Sequence, residues 1–77
     1  MERVIFDYSK LNGRIREKLG TQKKFAEVMG LSCASISSKL TNKTYFDQAE
    51  IDRAMRVLGI DPGAASDYFF TVGIKKT

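Results

Sequence analysis

The stretch from Thr21 to Leu40, TQKKFAEVMGLSCASISSKL, constrains this chain more than any other, because it encodes two short amphipathic helices separated by one glycine. Thr21 offers a hydroxyl to the free amides of a helix start, and Phe25, Ala26 and Met29 recur at the spacing that buries one helical face. Gly30 comes next. A side chain in the left-handed conformation that ends such a helix meets its own backbone, so glycine here predicts a tight turn. Leu31 turns into the core, Ser32 caps a second helix, and Ile36 and Leu40 bury its inner side. Cys33, Ala34, Ser37 and Ser38 are left on or near its outer side. Two helices of this length at this separation have the form of a helix-turn-helix.

The flanking sequence predicts three more helices. Asp7 or Ser9 can cap a first one, with Tyr8, Leu11, Ile15 and Leu19 on one stripe and Gly20 at its end. Gly13 inside it costs about 1 kcal/mol relative to alanine and is expected to mark a close approach of another helix. Thr41 to Thr44 form a polar loop in which Asn42 is suited to a left-handed turn. Asp47 and Glu50 read as a capping box opening a fourth helix that buries Ile51, Ala54, Met55 and Leu58 and stops at Gly59. Asp61 followed by Pro62 starts a short fifth helix to about Asp67. Three consecutive aromatics, Tyr68, Phe69 and Phe70, come next and cannot all lie on one side of the chain. They are divided between core closure and contact with another subunit. Val4, Ile5 and Phe6 form either a staple on the helical core or a short strand. The reading is one all-α domain of five helices over residues 7–70, with an N-terminal arm, 1–6, and a C-terminal tail, 71–77, mobile at its tip.

With 77 residues the chain can bury one modest core but not enclose an active site between two lobes. It has no histidine and a single cysteine, Cys33, which excludes an internal disulfide and removes the commonest general base and metal ligand. No catalytic residue, metal, cofactor or small-molecule ligand is expected, and the chain is not read as an enzyme. No apolar run approaches the length of a bilayer span and no signal peptide is evident, which places the chain in the cytoplasm. Charge is unevenly spread: residues 10–43 carry 8 basic and 2 acidic side chains, a balance of +6, while residues 44–74 carry 2 basic and 5 acidic, a balance of −3. The basic excess coincides with the helix-turn-helix, as a surface facing a polyanion requires.

The motif Thr21-Gln22, Phe25-Ala26, Gly30-Leu31-Ser32 and Ile36, set between a basic first helix and a polar loop, resembles the phage repressor and Cro type of helix-turn-helix transcriptional regulator. FDYSKLNGRIREKLGTQKKFA and the closing DYFF are similar to small prophage-encoded regulators of Gram-positive bacteria. The resemblance covers Phe6 to Phe70 and implies a compact lambda-repressor-like fold that binds operator DNA, in the bacterial host cytoplasm at the nucleoid, as a homodimer that forms in some cases only on DNA. It implies that Cys33, Ala34, Ser37 and Ser38 face base edges in the major groove, and that Gln22, Ser32, Thr41, Asn42, Lys43 and Thr44 meet phosphates. Lys23, Lys24 and Lys39 are further phosphate candidates. The dimer face is assigned to the fourth and fifth helices with Tyr68, Phe69 and Phe70. Two features depart from the family pattern. The base-facing positions lack the Gln, Arg or Asn that bond one base twice, so specificity leans on DNA shape and water. Asn42 stands where many relatives have glycine. The rival reading is a protein-interaction module, an antitoxin-like or anti-repressor partner with the same fold and little DNA binding.

Overall fold

The computed structural model describes residues 4–73 of the chain, which form α1 (Ser9–Leu19), α2 (Gln22–Met29), α3 (Cys33–Leu40), α4 (Gln48–Leu58), a 3-10 turn (Pro62–Ala64) and α5 (Ala65–Phe69). The protein is all-helical, and among the described residues no helix is long and apolar enough to cross a membrane.

Each helix of the central pair starts and stops on the residues that its local chemistry favours. The Thr21 hydroxyl accepts from Lys24 N–H at 3.1 Å and the Ser32 hydroxyl accepts from Ser35 N–H at 3.1 Å. Gly30 closes α2 at φ 72°, where a Cβ would be strained. The Asp47 and Glu50 capping box is complete, with Glu50 N–H donating to Asp47 and Asp47 N–H donating to Glu50. At α1 the capping differs from expectation. Asp7 does accept from Ser9 N–H and Oγ, but the N-cap position is Tyr8, whose buried ring belongs to the core.

Phe25, Ala26, Met29, Ile36 and Leu40 meet Leu11, Ile15, Ala54, Leu58 and Phe69 in one cluster. Arginines tie the helix ends around it: Arg14 donates to the carbonyls of Leu58 and Gly59 at 3.0 Å each, and Arg53 donates to Met29 C=O at 2.9 Å. A guanidinium at a helix C-terminus satisfies orphan carbonyls and the dipole together. Gly13 departs from expectation, since nothing lies within 4 Å of where its Cβ would be. Ile51 and Met55 are only half-buried, leaving Ala54 and Leu58 as the buried stripe of α4.

The aromatic triplet divides. Phe69 is 1% exposed and packs edge-on against Phe46, with centroids 5.5 Å apart. It therefore leaves the surface assigned to a dimer, while Phe70 is 50% exposed and Tyr68 half-buried under Lys10. Residues 4–6 neither staple the helices alone nor build a full strand. Phe6 forms an isolated antiparallel bridge with Val72, flanked by Asp7 N–H to Thr71 C=O and Gly73 N–H to Ile5 C=O, both 2.7 Å. The two terminal segments thus clasp each other over the domain. The expected mobile tip falls at residues 74–77, outside the described residues.

Candidate nucleic-acid interface

The α2–α3 pair presents its polar face as a local consequence of the packing just described. Ile36 and Leu40 turn α3 inward, and the 3.6-residue period then leaves Cys33, Ala34 and Ser37 exposed, with Thr41 one turn further on. Ser38 is half-buried at the edge of this face. The exposed side is narrow and made of small side chains without a formal charge.

Around it lie two helix starts. In α2 the first intrahelical bond is Phe25 N–H to Thr21 C=O, so the amides of Gln22 and Lys23 precede the ladder and point out of the helix start. In α3 the Ile36 N–H to Ser32 C=O bond plays the same part. Gln22 and Lys23 are exposed, as are Ser32, Thr41, Lys43 and Thr44. A groove between the last turn of α1 and the start of α2 is lined by Asn12, Ile15, Arg16, Gly20, Thr21 and Gln22. Arg16 and Gln22 both line it, a pairing the linear motif conceals because the two belong to different helices. The only advance signal was the basic last turn of α1, Arg16 and Lys18, immediately before Gly20.

Two residues expected on this surface are used elsewhere. Lys39 folds back so that Nζ lies 3.1 Å from Glu50 Oε1, donates to Tyr45 C=O at 3.2 Å and sits 5.9 Å above the Phe46 ring, its side chain 13% exposed. Asn42 adopts the left-handed φ expected of it, 66°, but is 8% exposed and bonds its side-chain amide to Phe6. Both differ from expectation for the same reason: a half-buried partner elsewhere in the chain satisfies their donors.

The cations sort accordingly. Of the eight basic residues between Lys10 and Lys43, four are near a carboxylate: Lys10 with Asp67, Arg14 with Glu17, Lys24 with Glu27 and Lys39 with Glu50. The other four, Arg16, Lys18, Lys23 and Lys43, are exposed and have no ion pair with another described residue. Among the described residues two ionisable groups are clearly perturbed, and both lie away from this face. The bonds from Ser9 hold the Asp7 carboxyl below its ordinary range, and burial, with Tyr45 nearby, raises the Tyr8 hydroxyl.

A protein-family model described as a protein of unknown function, DUF739, matches residues 4–72. Among solved structures, the solution structure of the modulator of repression (MOR) of the temperate bacteriophage TP901-1 from Lactococcus lactis is 46% identical to this chain. It superposes with a TM-score of 0.77 over 84% of this chain and 88% of that one. No curated protein matches. Over most of its length the chain is thus similar to a phage regulatory protein.

Proposed function

The chain belongs to the DUF739 family, and from that premise we propose that it is a phage or prophage regulator that binds double-stranded DNA through its helix-turn-helix and has no catalytic activity. The observation that carries this reading is the pairing of an exposed α3 face, Cys33, Ala34 and Ser37, with cations that no described carboxylate neutralises. Arg16 and Lys18 lie in the last turn of α1, Lys23 in the first turn of α2, and Lys43 in the loop after α3. An α-helix of this width fits a major groove, where small side chains let the helix axis approach the bases closely. Ala34 is suited to contact with a thymine methyl, and Ser37 and Ser38 to bonds with either edge. Gln22 and Lys23 at the α2 start, Ser32 at the α3 start, and Thr41, Lys43 and Thr44 after α3 supply the phosphate contacts, joined by Arg16. One such helix reads few base pairs, so two copies acting on adjacent half-sites are part of the reading. With Phe69 in the core, the reading keeps the exposed Phe70 and the half-buried Tyr68, with α4 and α5, as the pairing surface.

The second reading, a module that acts on another protein, is favoured by the same uncharged α3 face and by similarity to a protein described as a modulator of repression. Electrophoretic shifts with the DNA flanking the gene, at several salt concentrations, separate the two. Salt-dependent binding that Ala34→Asp abolishes without loss of helicity supports the DNA reading, and no binding to any duplex at low salt ends it.

A further inference from the structure

Asn42 lies in the loop that leaves α3, yet both ends of its amide engage a residue 36 positions away. Its Oδ1 accepts Phe6 N–H at 2.9 Å and its Nδ2 donates to Phe6 C=O at 3.0 Å, so the side chain serves the arm as a neighbouring strand would. The other edge of that arm is bonded to Thr71 and Gly73. Two further contacts bind the same parts. The Tyr45 hydroxyl donates to Val4 C=O at 2.6 Å, and the Phe6 ring stands edge-on to Tyr45 and Phe70 at 5.8 and 6.0 Å. Three segments far apart in sequence, 4–7, 42–45 and 70–73, therefore meet around one asparagine.

We propose that Asn42 is a positioning residue: through Phe6 it registers the clasped termini against the loop after α3 and so fixes where that loop presents Lys43 and Thr44 to ligand. The inference rests on the reading above that this loop meets the ligand. A strand-like clamp explains why an amide is needed. A hydroxyl side chain cannot both span the distance and supply donor and acceptor side by side, and a carboxylate would set an oxygen against Phe6 C=O. It also separates two demands on this position, since φ 66° is satisfied by glycine and the clamp is not.

The test uses the full chain with two substitutions. Asn42→Gly keeps the backbone conformation and removes the clamp. Amide hydrogen exchange at Phe6, Asp7 and Gly73 should then accelerate by about tenfold or more, as removal of two part-buried bonds implies, while Leu31 and Ile60, whose amides bond back to Ala26 and Met55 at the ends of α2 and α4, keep wild-type rates. Its affinity for duplex DNA should fall about threefold or more, as expected if the loop holds its place in only a third of molecules. The salt slope should keep its value, because no cation has been removed. Asn42→Asp should behave like Asn42→Gly at neutral pH and recover below about pH 4, where the introduced carboxyl gains a proton and donates to Phe6 C=O. Unchanged exchange at Asp7 and Gly73 in Asn42→Gly overturns the clamp. Faster exchange with unchanged affinity overturns the positioning role. If the wild-type chain binds no duplex, the DNA reading has failed by itself; the proposal is then decided by acid recovery of the Lys43 and Thr44 amide resonances in Asn42→Asp, whose absence overturns it.

Discussion

Lys39 and Lys43 stand four residues apart, and the structure assigns them opposite work. Lys39 is committed to Glu50, to the Tyr45 carbonyl and to the face of Phe46, with the two charged side chains 13% and 17% exposed. An exposed pair contributes about 0 to 1 kcal/mol, and breaking a fully buried one costs about 3 to 5. A pair this far covered falls between, and removing the bond to Tyr45 adds about 1 kcal/mol, so Lys39→Ala should cost about 2 to 3 kcal/mol. In a domain of this length that lowers the melting midpoint by about 10 to 20 °C. Because Lys39 is not free to meet phosphate, the slope of log affinity against log salt should not change. Lys43 is exposed with no described carboxylate beside it. Lys43→Ala should leave stability within about 0.5 kcal/mol of wild type and reduce the magnitude of the salt slope by about 0.9, the share of one phosphate that is no longer neutralised. Thermal unfolding followed by circular dichroism and fluorescence anisotropy with a labelled duplex from 50 to 200 mM salt measure both. A flattened slope with intact stability in Lys39→Ala, or a destabilised fold with an unchanged slope in Lys43→Ala, would contradict this division of roles.

The aromatic triplet gives a second contrast in urea unfolding. Phe69→Ala should cost about 3 to 5 kcal/mol, as for a fully buried ring, whereas Phe70→Ala, half exposed and touching Phe6, should cost about 1 to 2. Equal costs would place Phe69 wrongly. Gly30→Ala should destabilise by about 1 to 2 kcal/mol through its left-handed φ of 72° although no atom is closer than 4.0 Å to the added methyl, and a neutral result would contradict that conformation. Stability should also fall at high pH through Tyr8. Burial raises its folded pKa, so its contribution is complete below the unfolded value near 10.0 and is lost as pH rises from there through the folded value. Tyr8→Phe should flatten that alkaline limb, and an unchanged limb would show that Tyr8 is not its source.

What could be read in the sequence was local chemistry. Thr21, Ser32 and the Asp47–Glu50 box announce helix starts because cap and partner lie within three residues, and Gly30 and Gly59 announce stops because one dihedral decides them. The buried faces of α2 and α3 follow from period alone. The failures involve distant partners. Lys39 looks like a surface cation until α4 brings Glu50 beside it, and Asn42 looks like a turn residue with a free amide until the arm returns across 36 positions. That Arg16 and Gln22 line one groove is not legible in sequence, because the groove is formed by the α1–α2 junction. The terminal clasp was least legible of all, since a single bridge leaves no alternating pattern by which a strand is recognised.

On the proposed function, the α3 face holds DNA. It is tested most directly by titrating the isotope-labelled full chain with a duplex selected from random sequence and following its backbone amide resonances. The largest changes are expected on Cys33, Ala34, Ser37 and Ser38, with a second set at Gln22, Lys23 and Thr41 to Thr44, and α5 silent apart from changes due to pairing of copies. Resonances that stay fixed across α3 while the duplex is present in excess, or changes confined to the Val4–Phe70–Val72 side, would contradict it.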